Sequence, residues 1–199
     1  MNTNTHTRTL AVILPLTMAL AVTGCAGAAD TSGDMPGMHH GSASSASPVD
    51  VTMADQMFVT MMIPHHEQAI EMAEMVLAKD GVDPRVVAIA ERIKTAQGPE
   101  IELMEGWLDD WGVEHAPSGM DHGDGMMSEA DMTALSDADG TTAGRLFLEQ
   151  MVEHHQGAVE MAEAALESAE DPDVRALAQQ VIEDQNAEIA EMQELAATL

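Results

Sequence analysis

The 199-residue chain carries 35 Asp and Glu against 7 Lys and Arg, a formal charge of −28 that excludes a nucleic-acid partner, whose phosphates it would repel. With 18 Met, two Phe, two Trp and no Tyr, the core must be built from aliphatic and thioether side chains. Cys25 is the only cysteine, which excludes an intramolecular disulfide and any cysteine-based zinc or redox centre.

Residues 1–25 read as a targeting segment. Arg8 is followed by an apolar run from Leu10 to Val22, too short to span a bilayer comfortably, and then by Val22-Thr23-Gly24-Cys25. That last run resembles a bacterial lipoprotein box, in which cleavage leaves the cysteine as a lipidated N-terminus. The expectation is an exported protein anchored to a membrane through Cys25 and facing the periplasm or the cell exterior. Residues 26–49, rich in Gly, Ser, Ala and Pro without periodicity, read as a flexible tether. Met35, Met38, His39 and His40 lie in it. Thioethers and imidazoles on such backbone can wrap a soft ion without a preformed cage.

Residues 50–199 read as one duplicated domain of four helices, with repeat one over 52–111, a linker over 112–140 and repeat two over 141–199. The first helix opens at Thr52, with Asp55 as its capping partner, and runs to Lys79; Pro64 predicts a kink or a fresh start just before His65. The second opens at Asp83-Pro84 and ends near Trp111-Gly112, with Gly98-Pro99 as a weak point. The linker holds a second Met/His cluster, Met120, His122, Met126 and Met127, and predicts a short helical turn after Ser128. The third helix is expected from Thr142 to Ser168, and the fourth from Asp171-Pro172 onward.

The duplication is explicit. Phe58 to Leu77 reads FVTMMIPHHEQAIEMAEMVL, Phe147 to Leu166 reads FLEQMVEHHQGAVEMAEAAL, and half of the aligned positions are identical. The second helices match too, with Gln97, Glu100, Ile101 and Met104 recurring as Gln185, Glu188, Ile189 and Met192. The repeating unit is therefore a helical hairpin with an apolar stripe, and two such hairpins can bury their stripes only against each other. An all-α, pseudo-two-fold four-helix bundle follows.

At about 100° per residue from Phe58, the apolar arc of the first helix spans about −40° to 140°; His66 falls at about 80°, inside it, and His65 at about −20°, on its edge. His154 and His155 repeat the arrangement. Met62 precedes His66 by four residues, as Met151 precedes His155, so each pair can offer a thioether and an imidazole to one point. Met72 and Met161 complete the soft ligand set. Gln97 and Gln185 lie in the stripes of the second and fourth helices, with Glu100 and Glu188 on the flanks, which suggests a buried polar layer supporting the histidines. Such a layer either holds an ion or only fixes helix register. Thioether plus imidazole points to copper, Cu(I) before Cu(II).

The Met-Ile-Pro-His-His run at Met62–His66, its second copy at Met151–His155 and the paired Gln-x-x-Glu-Ile-x-x-Met segments resemble the family called domain of unknown function 305. The resemblance covers about residues 50 to 199 and implies a ferritin-like helical bundle, export, and copper binding in some relatives. The copies differ where Glu153 replaces Pro64. The expected function is a non-catalytic copper-binding lipoprotein that sequesters the ion or hands it on; a homo-oligomer is compatible with the sequence. One alternative is an envelope interaction module without metal. Another, a ferritin-like metal oxidase, lacks the Glu-x-x-His signature such centres use, which occurs nowhere in the chain.

Overall fold

The structure, a computed structural model, describes residues 51–114 and 125–199. The targeting segment and tether, with Cys25, Met35, Met38, His39 and His40, lie outside the described residues, as do Met120 and His122. Among those described there are five helices: α1 (Met53–Leu77), α2 (Pro84–Trp111), α3 (Glu129–Asp137), α4 (Gly140–Ser168) and α5 (Pro172–Ala196).

Local chemistry sets their ends. Thr52 and Asp55 form a reciprocal capping box on α1. Asp83 and Asp171 accept backbone N–H groups at the starts of α2 and α5, each with Pro at the first helical position. Pro64 does not break α1, nor Pro99 α2; each helix is assigned without interruption through its proline. Pro64 lacks the N–H that would bond back one turn, yet it is buried, and packing on both sides holds the helix together.

Two expectations need correction. The linker turn is a full nine-residue helix, α3, capped by Ser128 and Asp131 and anchored by the fully buried Leu135. Lys79 Nζ donates to the Ser136 and Ala138 carbonyls, and Gln150 Nε2 to that of Asp131, tying α3 to both repeats. The next helix, α4, starts at Gly140 rather than Thr142, because Asp139 caps the Thr142 N–H at 2.9 Å. Gly140 is there of necessity: a Cβ would stand 2.0 Å from the Asp80 carbonyl oxygen in the α1–α2 turn.

The close packing is α1 on α2, α4 on α5, and α1 on α4. α2 and α5 instead face each other across an open groove of about 890 Å³. The core is divided. One apolar cluster joins Met72, Val76, Ile89, Ile93, Leu135, Phe147 and Met151; the other joins Phe58, Met62, Met104, Leu108, Val174 and Val181. All four repeat histidines are buried, and neither cluster includes them. They form a polar layer in the middle of the bundle.

Candidate metal centre

The layer is built by the central turns of α1 and α4. His65 and His154 meet across the hairpin boundary with ring centroids 3.8 Å apart, tilted by 39°. Both rings are fully buried, and no nitrogen of either makes a well-formed hydrogen bond, His154 having only a weak contact with the His65 backbone. Burial pushes the His65 imidazole down to about 3, with His66 and His155 adding to the effect. Burial likewise holds His154 well below the usual histidine range, assisted by His65, His155 and His66 and weakly opposed by the His65 backbone. Both rings are therefore neutral at physiological pH, the form in which imidazole binds metal. A buried polar group without a partner costs about 1–3 kcal/mol, so leaving both rings bare is expensive.

The helical projection placed His65 on the edge of the apolar arc. It is buried because α4 covers that edge. The ring contact between hairpins is accordingly made by the first histidine of each pair.

His66 and His155 turn towards their own hairpins. His66 Nε2 pairs with the Glu100 carboxylate at 2.9 Å and His155 Nε2 with that of Glu188 at 2.7 Å. With Nε2 donating, the partnerless Nδ1 of each ring carries a lone pair, as in carboxylate–histidine–metal arrangements. Gln97 and Gln185 are 3% and 4% exposed, and their side-chain oxygens lack partners. These two amides and the half-buried Glu100 and Glu188 all line the α2–α5 groove. The polar layer is thus not sealed as the sequence suggested: its outer edge opens on that groove. Gln180 Nε2 donates to Glu100, and Arg92 pairs with Glu191, across the groove.

The methionines divide. Met62 and Met151 are fully buried one turn before His66 and His155, but in opposite apolar clusters, one on each side of the layer. Met72 and Met161 stand two turns beyond the histidines, about 10 Å along the helix axis. Met72 is buried, whereas Met161 is half-exposed in a separate surface groove. Met127, expected on flexible linker, is buried against the first cluster and clamped by Gln68, which accepts its N–H at 2.7 Å and donates to its carbonyl at 3.0 Å. Met126 beside it is half-buried. Among the described residues no three His, Cys, Asp or Glu side chains converge as a ready metal cage. An ion in the layer would be held by the histidine pairs, with the thioethers of Met62 and Met151 one turn away, a set suited to a soft monovalent cation rather than zinc or di-iron.

The model of the family described as domain of unknown function (DUF305) matches residues 55–196. The chain belongs to this family. A crystal structure of a DUF305 protein from Streptomyces coelicolor is 34% identical, with a TM-score of 0.68 over 73% of this chain and 93% of that one. A DUF305 fragment from Deinococcus radiodurans is 33% identical, with a TM-score of 0.67 over 75% of this chain and 99% of the fragment. CopM in its Cu(I)-bound form is 35% identical, with a TM-score of 0.62 over 72% of this chain and 96% of CopM. No curated protein sequence matches. The expected family and its helical-bundle fold are both borne out.

Sequence reasoning missed Asp55 as a tertiary residue. Beyond capping its own helix, its buried carboxylate accepts the Glu170 and Asp171 N–H groups at 3.1 and 3.0 Å, fastening the start of α1 to the α4–α5 turn. Gly125 and Gly157 were missed as well. Gly125, at φ 90°, lies so close to α4 that a Cβ would be 2.7 Å from the Gly157 Cα and 3.1 Å from the His154 carbonyl. The only sequence signal for that approach was the paired glycines themselves.

Proposed function

We propose that this protein is an exported copper-binding protein that holds Cu(I) in the histidine layer and passes it on without transforming it. The observation that carries this reading is the His65–His154 pair: two neutral imidazoles in contact at the centre of the core, with no well-formed hydrogen bond to any of their nitrogens. CopM, a relative of the same fold, has been crystallised with Cu(I), Cu(II) and silver, which supports copper as the cargo here. The relative from Streptomyces coelicolor carries a secreted-protein description, which supports export. Lipidation of Cys25 anchors the exported chain, and Met35, Met38, His39 and His40, with Met120 and His122, act as auxiliary ligands for the soft ion. Among the described residues no helix is long and apolar enough to cross a membrane.

One observation favours a second reading. The absence of a three-residue cage among the described residues fits a polar layer that fixes helix register without an ion. Replacing both histidines, His65→Leu with His154→Leu, separates the two. Under the copper reading, chelator competition shows a loss of Cu(I) affinity of at least about 100-fold, and the copper-induced rise in unfolding temperature disappears. If the double variant retains that rise in full, the layer is structural and the copper assignment fails.

A further inference from the structure

A second groove lies on the outside of the bundle, between the N-terminal half of α1 and the C-terminal half of α4. It encloses about 430 Å³ and is walled by Met53, Met57, Met61 and Met161, with Ala164 and Ser168 among its smaller lining residues. We propose that this groove is a separate, sulfur-only site for a soft monovalent cation, Cu(I) or Ag(I), on the surface of the bundle.

Three observations carry it. The first is placement. Met53, Met57 and Met61 follow one another at four-residue intervals, so they share one face of α1, and Met161 reaches the same groove from α4. Thioethers four residues apart, about 6 Å along the axis, can share one ion on long, freely rotating side chains, with Met57 common to both neighbouring pairs and Met161 facing them across the groove.

The second is exposure. Met53 and Met57 are 77% and 60% exposed and are two of the three large apolar side chains so displayed among the described residues. An exposed methionine gains little from burial, so packing does not account for the choice of residue. The groove has no carboxylate in its lining, which leaves hard cations such as calcium or magnesium nothing to bind.

The third is the contrast with the other repeat. Where the first repeat has Met53, Met57 and Met61, the second has Thr142, Leu146 and Gln150. There α3 covers the equivalent face: Leu146 packs against the cluster containing Leu135, and Gln150 donates to the Asp131 carbonyl. The covered face keeps one thioether, Met72, the counterpart of Met161, and otherwise uses ordinary core and hydrogen-bonding residues; the open face carries all four. The chain's formal charge of −28 draws cations to the surface generally, and the sulfurs select the soft ones.

The test uses the full chain with its methionine methyl groups carbon-13 labelled, titrated with Ag(I), which is not redox-active under these conditions. The methyl resonances of Met53, Met57, Met61 and Met161 should shift together and saturate together. In a Met57→Leu, Met61→Leu, Met161→Leu variant, silver capacity should fall by about one equivalent while the histidine ring signals still respond. Leucine keeps the groove apolar and of similar volume, so the fold should persist. Met53→Leu with Met57→Leu, both exposed positions, provides a variant that cannot fail through core packing and should weaken silver binding at the groove. Unchanged capacity and unchanged groove affinity in these variants overturn the proposal. So does a groove whose methyl signals answer to an apolar peptide or a second copy of the chain but not to silver. Loss of the histidine response with the groove response intact would sink the central copper reading and leave this one standing.

Discussion

A single imidazole pair sets the chemistry of the centre. Burial holds His65 and His154 neutral in the folded state, whereas both take up protons below about pH 6.5 once unfolded. The stability they allow is therefore complete above the unfolded-state value and is lost as pH falls towards the depressed folded value, about 3 for His65. Metal-free protein should therefore lose stability steadily as pH falls below about 6.5, because the unfolded rings take up protons that the buried rings do not. Urea unfolding at neutral and mildly acidic pH should show this slope, and the His65→Leu, His154→Leu variant should flatten it. The carboxylates beside His66 and His155 act one step further out. Glu100→Gln with Glu188→Gln should lower Cu(I) affinity by about 10–100-fold while leaving the helical content unchanged, because the amide orients the ring less strongly and makes it less basic. Competition with a Cu(I) chelator and far-ultraviolet circular dichroism read the two halves of that expectation.

Helix termini show how far local sequence reaches. Thr52 with Asp55, Asp83-Pro84 and Asp171-Pro172 marked their helices correctly, because a cap is decided within three or four residues. The same Asp55 carboxylate also holds the α4–α5 turn, more than a hundred residues away, and nothing local signals that. Asp55→Ala should cost about 2–3 kcal/mol, more than an ordinary cap, since it strands two part-buried backbone donors as well as the α1 terminus. Burial raises the Asp55 carboxyl, but hydrogen bonds from Thr52, Asp171 and Glu170 outweigh it and leave the net value lowered. Its contribution is thus present above the ordinary aspartate range near pH 4 and is lost on further acidification. Thermal unfolding of wild type and Asp55→Ala should differ most at neutral pH and converge in strong acid. Gly140→Ala tests the adjoining junction: with 2.0 Å available to a new Cβ, the α1–α2 turn must move, at a cost of about 1–3 kcal/mol. A variant as stable as wild type would mean that the turn yields freely.

At the scale of the whole molecule, the described residues form two hairpins that meet along α1 and α4 and part along α2 and α5, with α3 packed against α1 and α4. That arrangement keeps the histidines fully buried at the core, with the Gln–Glu flank between them and an open groove. The excess of 35 acidic over 7 basic residues repels itself at low ionic strength and draws cations to the surface. Metal-free protein should therefore melt at higher temperature as salt rises from roughly 10 mM to 150 mM, with the gain tapering as the screening length shrinks. Copper should act differently. At free Cu(I) about 100 times the dissociation constant, it should add about 2.7 kcal/mol, a gain that persists at high salt because it comes from ligation in the core. Calorimetry at two salt concentrations, with and without Cu(I), distinguishes these contributions; a copper effect that vanishes with salt would place the ion on the acidic surface.

By itself the sequence determined the family, the duplicated hairpin, the main helix starts and the residue types of the polar layer. Each is carried by spacing along one chain: identity between Phe58–Leu77 and Phe147–Leu166, caps within a single turn, and periodicity on one helix face. Tertiary structure decided which histidines meet, because a helical projection ranks faces but does not say which neighbour covers an edge; α4 covers the edge that holds His65. It carried α1 through Pro64, where surrounding packing offsets one missing hydrogen bond. It turned the stretch after Ser128 into a docked helix and drew Met127 into the core. It also separated Met161 from its repeat partner Met72, since α3 covers one of two related faces and leaves the other open. A duplicated sequence sets equal local preferences in both copies, and the unequal surroundings of those copies come from the segment that joins them.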